Sequence, residues 1–224
     1  QEDVDAFMGA KDVNWHVALD PLRPMAVDPL TGGSGGKGPS TFVRYRKGQC
    51  RGMQNALGVI EEVHEEWGRR FGRRFAPLVE QYRMEDADYA IMTLGSMSGA
   101  GKDAVDEARD AGKRVGLIKL KTFSPFPVAA LLKALGGIRA LGVVDRSVGF
   151  RWNCGPMYQE VLGALYRRGC ETGSFIPSMS FIGGLAGADI TVGHFHRVIE
   201  ATAQLLNGPN VTMATEPVWL NEND

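Results

Sequence analysis

The chain has 224 residues, 44% of them hydrophobic and 23% charged, enough for one packed domain with an appendage. Its 25 basic and 26 acidic side chains leave a formal charge of −1, which gives a nucleic acid or an anionic membrane no electrostatic footprint. No apolar run approaches the roughly 18 residues of a membrane-spanning helix, and Cys50, Cys154 and Cys170 are odd in number and far apart. That spacing suits free thiols in a reducing cytoplasm, and neither a disulfide framework nor a zinc or iron-sulfur ligand set.

The opening octet, Gln1 to Met8, has neither an initiator Met nor a targeting pattern and reads as the end of a helix, so the sequence is expected to be a fragment of something longer or a product cut from it. Residues 10–45 hold four prolines and a Gly-Gly-Ser-Gly-Gly-Lys-Gly run at 32–38. With no strand before that run and no helix directly after it, it reads as a flexible connector rather than a phosphate cradle. Residues 47–75 turn helical: Leu57, Ile60, His64, Trp67 and Phe71 recur every three or four positions, and Glu65 and Glu66 precede Arg69 and Arg70 by four. Gly68 and Gly72 are expected to end or loosen this helix, and His64, on the apolar stripe, is expected to be packed.

The organising stretch is 88–145. Tyr89-Ala90-Ile91-Met92-Thr93-Leu94 is a buried strand that breaks into Gly95-Ser96-Met97-Ser98-Gly99-Ala100-Gly101 and a covering helix ended by Gly112. That loop fails as a phosphate-binding loop, because five residues separate Gly95 from Gly101 and Asp103 stands where a magnesium-holding hydroxyl belongs. The stretch reads first as a plain tight turn, with amides at the helix start that can still receive an anion as the lesser alternative. Val115 to Leu120 is a second strand, and Phe123-Ser124-Pro125-Phe126-Pro127 makes a stiff aromatic corner before a helix with Val128, Leu131, Leu132 and Leu135 inward. Leu141 to Val144 is a third strand, closing on Asp145-Arg146-Ser147.

Phe150-Arg151-Trp152-Asn153-Cys154-Gly155-Pro156 then leads into a helix with Tyr158, Val161, Leu162 and Leu165 inward. Cys154, near that helix start, reads as a buried bystander for want of a base beside it. A strand over 175–182 runs into Gly183-Gly184-Leu185-Ala186-Gly187-Ala188-Asp189, and Phe195, Val198, Ile199, Thr202, Leu205 and Leu206 define a closing helix. His194 and His196, two apart, face different ways and cannot share a metal. Residues 209–224 read as a polar tail. Strands alternating with helices at this spacing predict an α/β, three-layer, mostly parallel sheet with its functional loops at the carboxyl ends of the strands.

Six motifs in register carry a resemblance: Glu80-Gln81-Tyr82-Arg83-Met84-Glu85-Asp86-Ala87-Asp88, the Gly95-Ser96 turn, Phe123-Ser124-Pro125-Phe126-Pro127, Asp145-Arg146-Ser147, Gly155-Pro156-Met157-Tyr158-Gln159-Glu160-Val161 and Gly183-Gly184-Leu185-Ala186-Gly187-Ala188-Asp189-Ile190-Thr191. Over residues 80–207, and more loosely 1–27, the chain resembles the alpha subunit of the 2-oxoacid:ferredoxin oxidoreductases, the pyruvate synthase group. The resemblance implies a transketolase C-terminal-like domain at 80–208. Residues 1–79 would then be the end of an upstream pyrimidine-binding domain with its linker and long helix, and 209–224 a tail.

The implied reaction turns a 2-oxoacid and coenzyme A into acyl-CoA, carbon dioxide and two electrons by way of thiamine diphosphate. The resemblance assigns thiamine diphosphate with Mg2+ and [4Fe-4S] clusters mainly to partner chains, none bound by this chain alone. Those partners are a thiamine-binding beta subunit, gamma and ferredoxin-like delta subunits, and a soluble acceptor such as ferredoxin. No catalytic, cofactor-binding or metal residue carries over. Site-shaping or interface candidates, all from loops at strand carboxyl ends, are Ser96, Ser98, Gly99, Phe123, Phe126, Asp145, Arg146, Ser147, Arg151 and Trp152. Relatives acting on pyruvate tend to have small residues after the Asp-Arg-Ser turn, so Phe150, Arg151 and Trp152 leave an aromatic 2-oxoacid such as phenylglyoxylate or indolepyruvate open beside pyruvate. Two further classes stay open: the C-terminal half of a cluster-free thiamine enzyme of the transketolase or 2-oxoacid dehydrogenase type, and a non-catalytic anion-binding module.

Overall fold

The computed structural model describes residues 1–9, 40–207 and 216–222. Residues 10–39 of the expected connector, with its glycine run at 32–38, and residues 209–215 and 223–224 of the expected tail lie outside the described residues, and residues 40–45 are helical rather than connector. The chain divides into two compact units, Gln1–Phe75 and Ala76–Asp224.

In the first unit, α1 (Glu2–Met8) and α2 (Ser40–Phe71) form the described structure. The helix begins earlier than the 47–75 reading and ends at Gly72, whose N–H reaches the Gly68 carbonyl at 3.1 Å. Gly68 neither ends nor breaks it. Phe7 sets its ring edge-on against Trp67 and Phe71, with centroids 5.5 and 5.8 Å away, so the last turns of the apolar stripe are covered by aromatic contacts. The His64 ring nitrogen Nδ1 lies 2.8 Å from the Ile60 carbonyl, which makes it a satisfied helix residue.

The second unit is one six-stranded sheet in the order β1-β3-β2-β4-β5-β6. Its strands are β1 (Val79–Tyr82), β2 (Tyr89–Leu94), β3 (Val115–Leu120), β4 (Leu141–Asp145), β5 (Ser178–Ile182) and β6 (Val218–Trp219). β1 runs antiparallel to β3, and every other pairing is parallel. Helices α3 (Ser98–Asp110), α4 (Val128–Leu135), α5 (Pro156–Thr172) and α6 (Val192–Gln204) connect the parallel strands. Met92, Ile118, Leu120 and Val143 pack on one face with Leu131 and Leu135 of α4 and Met157 and Val161 of α5. Ile91, Leu117, Val144 and Phe181 pack on the other with Val105 of α3 and Phe195 and Val198 of α6. Alternate residues of each strand thus enter opposite helical layers, which is why β2 and β4 read as unbroken apolar runs. The expected three-layer α/β, mostly parallel sheet is the observed one.

The ends of the sheet differ from the sequence reading. β1 was hidden in a polar-looking motif, and the strand expected over 175–182 begins only at Ser178, after Pro177, whose carbonyl accepts the Leu141 N–H at 3.0 Å. Within the stretch expected to trail as a polar tail, Val218 and Trp219 pair with Phe181 and Ile182, and Leu220 is wholly buried. From β2 the chain goes first to β3 on one side and then to β4 on the other. The crevice where ligands meet such sheets therefore lies outside the carboxyl ends of β2 and β4.

Candidate functional site

Asp145 ends β4 as a buried side chain, 5% exposed. Its carboxylate accepts the N–H of Met157 at 3.0 Å and of Tyr158 at 3.1 Å, two of the donors that the first turn of α5 leaves without a helical partner. The contact needs Gly155, since a Cβ there would lie 2.0 Å from the Asp145 Oδ2. Burial pushes the Asp145 carboxyl up to about 6 from its ordinary 3.8, and the two backbone N–H bonds offset part of that rise. Pro156 at the first position of α5, with no N–H to satisfy, completes the start. Asp145 is therefore a structural cap that fixes where the β4–α5 loop leaves the sheet.

Next to it, the exposed Arg146 donates from Nε and Nη2 to the Gly184 carbonyl at 3.3 and 3.2 Å. The Gly184 N–H donates to Asn221 Oδ1 at 2.8 Å, and Asn221 Nδ2 donates to the Asp189 carbonyl at 3.0 Å. Gly184 sits at φ +76° with Arg146 where a side chain would be. One glycine thus joins the β4 loop, the β5–α6 loop and the C-terminal turn. Asn221 and Trp219 were not singled out from sequence. A Trp and an Asn in the stretch Pro217-Val218-Trp219-Leu220-Asn221 were the available signal. A cavity of about 320 Å³ opens here, lined by Ile182, Gly183, Leu185, Ala188, Trp219, Asn221 and Glu222.

The other candidates fall along the same edge. Ser96 and Gly99 are exposed after β2, but Ser98 is 1% exposed and its hydroxyl donates to the Gly95 carbonyl at 2.6 Å, closing the turn from inside. Phe123 and Phe126 meet edge to face after β3, with centroids 6.1 Å apart. Ser147 is exposed after β4. Residues 149–154 then form a small hairpin in which the Gly149 N–H donates to the Cys154 carbonyl at 2.8 Å and Asn153 takes φ +43°. Its tip, Phe150, Arg151 and Trp152, is exposed, while Cys154 at its base is buried.

Among the described residues of the second unit, eight large hydrophobic side chains are exposed: Leu94, Phe123, Phe150, Trp152, Leu185 and Trp219 along this edge, and Tyr166 and Phe175 elsewhere. Six of eight on one edge is a concentration of the kind that marks a contact surface. The histidines do not join it as a pair: His194 Nδ1 accepts the Thr191 N–H in the cap of α6, and His196 Nε2 lies 2.6 Å from Glu107. Among the described residues no three His, Cys, Asp or Glu side chains converge on a point. No helix among the described residues is long and apolar enough to cross a membrane.

Residues 87–195 match the pyruvate:ferredoxin oxidoreductase core domain II. Over all 224 residues the chain is 75% identical to subunit alpha of the NADH-dependent phenylglyoxylate dehydrogenase of Aromatoleum evansii, of which it covers 52%. The chain belongs to the 2-oxoacid:ferredoxin oxidoreductase alpha-subunit family. To the pyruvate synthase subunit PorA of Methanothermobacter thermautotrophicus it is 32% identical over 202 residues, 90% of this chain and 48% of that one. The chain spans about half the length of these curated relatives. A split-gene transketolase structure overlaps 59% of this chain and 44% of its own at 15% identity, with a TM-score of 0.47. In this oxidoreductase alpha chain the matched span takes in β2 to β5 and the loops after each of them.

Proposed function

We propose that the chain is part of the alpha subunit of a multi-subunit, thiamine diphosphate-dependent oxidoreductase that converts an aromatic 2-oxoacid of the phenylglyoxylate class and coenzyme A into the aryl acyl-CoA, carbon dioxide and two electrons. The observation that carries this reading is the 75% identity, along the whole chain, to the phenylglyoxylate dehydrogenase subunit, against 32% to the pyruvate synthase subunit. That relative's name includes NADH, so a nicotinamide nucleotide is the acceptor we propose, in place of the ferredoxin expected from the wider family. Thiamine diphosphate, magnesium and the [4Fe-4S] clusters belong in this reading to beta, gamma and delta partner chains, as the family resemblance implies. The first unit is then the end of a pyrimidine-binding domain and the second a transketolase C-terminal-like scaffold. Its carboxyl-edge loops, Ser96, Gly99, Phe123, Phe126, Arg146, Ser147, Arg151 and Trp152 among them, shape the approach to the partners' site, with Ser98 and Asp145 holding the turns behind them. Free Cys50, Cys154 and Cys170 suit a cytoplasmic enzyme.

The test is substrate discrimination by the assembled enzyme. Burying a phenyl ring in place of a methyl group supplies about 2–3 kcal/mol, so kcat/KM for phenylglyoxylate is expected to exceed that for pyruvate by on the order of 100-fold. An equal or reversed ratio would remove the aromatic assignment.

A further inference from the structure

We propose that the cavity beside the β5–α6 loop binds a small aromatic carboxylate, its ring against the Trp219 indole and its carboxylate on the Arg197 guanidinium. Two cavities adjoin there. One, of about 320 Å³, has Ile182, Leu185 and Trp219 on its walls, and the other, of about 520 Å³, has Thr191, His194 and Arg197; Ala188 and Asn221 line both. A ligand with an apolar end and a polar end can therefore lie across the boundary. Trp219 is 39% exposed although Leu220 beside it is wholly buried, so the indole is an open wall and not part of the core. A hollow with apolar walls and a few polar groups at one end is the usual form of a small-molecule site, and a flat ring gains from lying on an indole. The loop that forms one wall is held in an uncommon shape. Ala186 takes φ +52° without glycine's freedom, while Arg146 holds the Gly184 carbonyl and the Ala188 N–H donates to the Leu185 carbonyl at 3.0 Å. Backbone held in this way gathers at ligand sites.

The polar end selects a single negative charge. Arg197 Nη1 donates to the Leu220 carbonyl at 2.9 Å, which ties the guanidinium to the C-terminal turn. Nε and Nη2 have no partner among the described residues, and such a pair of donors matches the two oxygens of a carboxylate. Because the guanidinium is placed before the ligand arrives, less rotamer freedom is lost on binding. Asp189 and Glu222 also stand on the walls. They disfavour a ligand with several negative charges, such as a nucleotide, while Arg197 disfavours an organic cation. One carboxylate on a flat apolar body suits this set of groups. The inference goes beyond the substrate reading above, since it concerns binding by this chain's own side chains.

The test is fluorine NMR of para-fluorobenzoate added to the purified full-length alpha subunit, with neutral para-fluorobenzyl alcohol as the comparison. Neither compound is a 2-oxoacid, so turnover plays no part. Saturable line broadening by the acid below about 1 mM is expected, with the alcohol at least about threefold weaker for want of the charge-assisted pair. Arg197→Gln should bring the acid down to the level of the alcohol and leave the alcohol unchanged, a pattern that general loss of structure does not produce. Ala188→Trp should abolish binding of both. Its thermal midpoint should move by less than about 1 °C, because Ala188 is exposed with φ −56°; if it falls further, the Arg197→Gln result decides alone. No saturable broadening, an acid preference that survives Arg197→Gln, an equal loss of acid and alcohol in that variant, or binding that survives Ala188→Trp overturns the site. Binding of the acid in an enzyme that prefers pyruvate leaves the site standing and removes the substrate assignment alone. Turnover of phenylglyoxylate without such binding removes only the site.

Discussion

Gly155→Ala is expected to destabilise the sheet unit by about 2–3 kcal/mol. The backbone itself permits the change: Gly155 has φ −68° and ψ 147°, a conformation any residue adopts. On that ground alone alanine would stabilise by about 0.4–1 kcal/mol through the unfolded chain. The steric effect is larger and opposite in sign. The added Cβ would stand 2.0, 2.1 and 2.3 Å from Oδ2, Cγ and Cβ of Asp145, in a place where both residues are buried. Overpacking of this kind costs about 1–3 kcal/mol. Moving α5 away also breaks two N–H bonds whose loss costs about 0.5–2 kcal/mol as a cap. Urea unfolding should show a lower midpoint at an unchanged slope. In an Asp145→Gly background, which removes the colliding atoms, Gly155→Ala should cost almost nothing. A single variant within 0.5 kcal/mol of the parent would mean that α5 does not rest on Asp145.

The second large effect is a pH dependence with an unusual sign for a carboxylate. The folded-state pKa of Asp145 is about 6, above the ordinary 3.8. Between about pH 4 and 6 the folded chain therefore keeps a proton that the unfolded chain has released. The contribution is fully present below about pH 4 and is lost as the pH rises through about 6, a change of about 3 kcal/mol. Glu80, Asp86 and Asp106 act in the opposite sense. Their carboxyls are held below the ordinary range by hydrogen bonds from Lys102, from Arg109 and from Tyr82, so their contributions are lost as the pH falls. The measurement is hence a difference: unfolding free energy of the parent minus that of Asp145→Asn, from pH 4 to 7. It should fall across that range and then level off. A rising difference would show that the amides at the start of α5 favour the carboxylate more than burial opposes it.

Much of the sheet was legible because its signals are local. The apolar runs at Tyr89 to Thr93 and Leu141 to Val144, the glycines after them and Pro156 at a helix start each identify an element without reference to the rest of the chain. The edges were not legible for the same reason in reverse. Val218 and Trp219 make a strand only because β5 lies beside them, and β1 has only four residues. Its Glu80 pairs across with Lys119, so polarity hid its alternation. The site divides in the same way. Asp145, Arg146 and Ser147 could be placed at a strand end, but the burial of Asp145 depends on α5 landing over it, twelve residues later in the chain. Asn221 reaches Gly184 across 37 positions, a pairing that neither spacing nor composition announces.

Under the proposed function the carbon and electron chemistry falls to partner chains, and this chain holds loops where those chains meet it. The most direct measurement is coenzyme A-dependent reduction of NAD+ with phenylglyoxylate, made on the purified full-length alpha subunit and again after its partner subunits are added back. Turnover only after recombination is the predicted result. Turnover by the alpha subunit alone would contradict it.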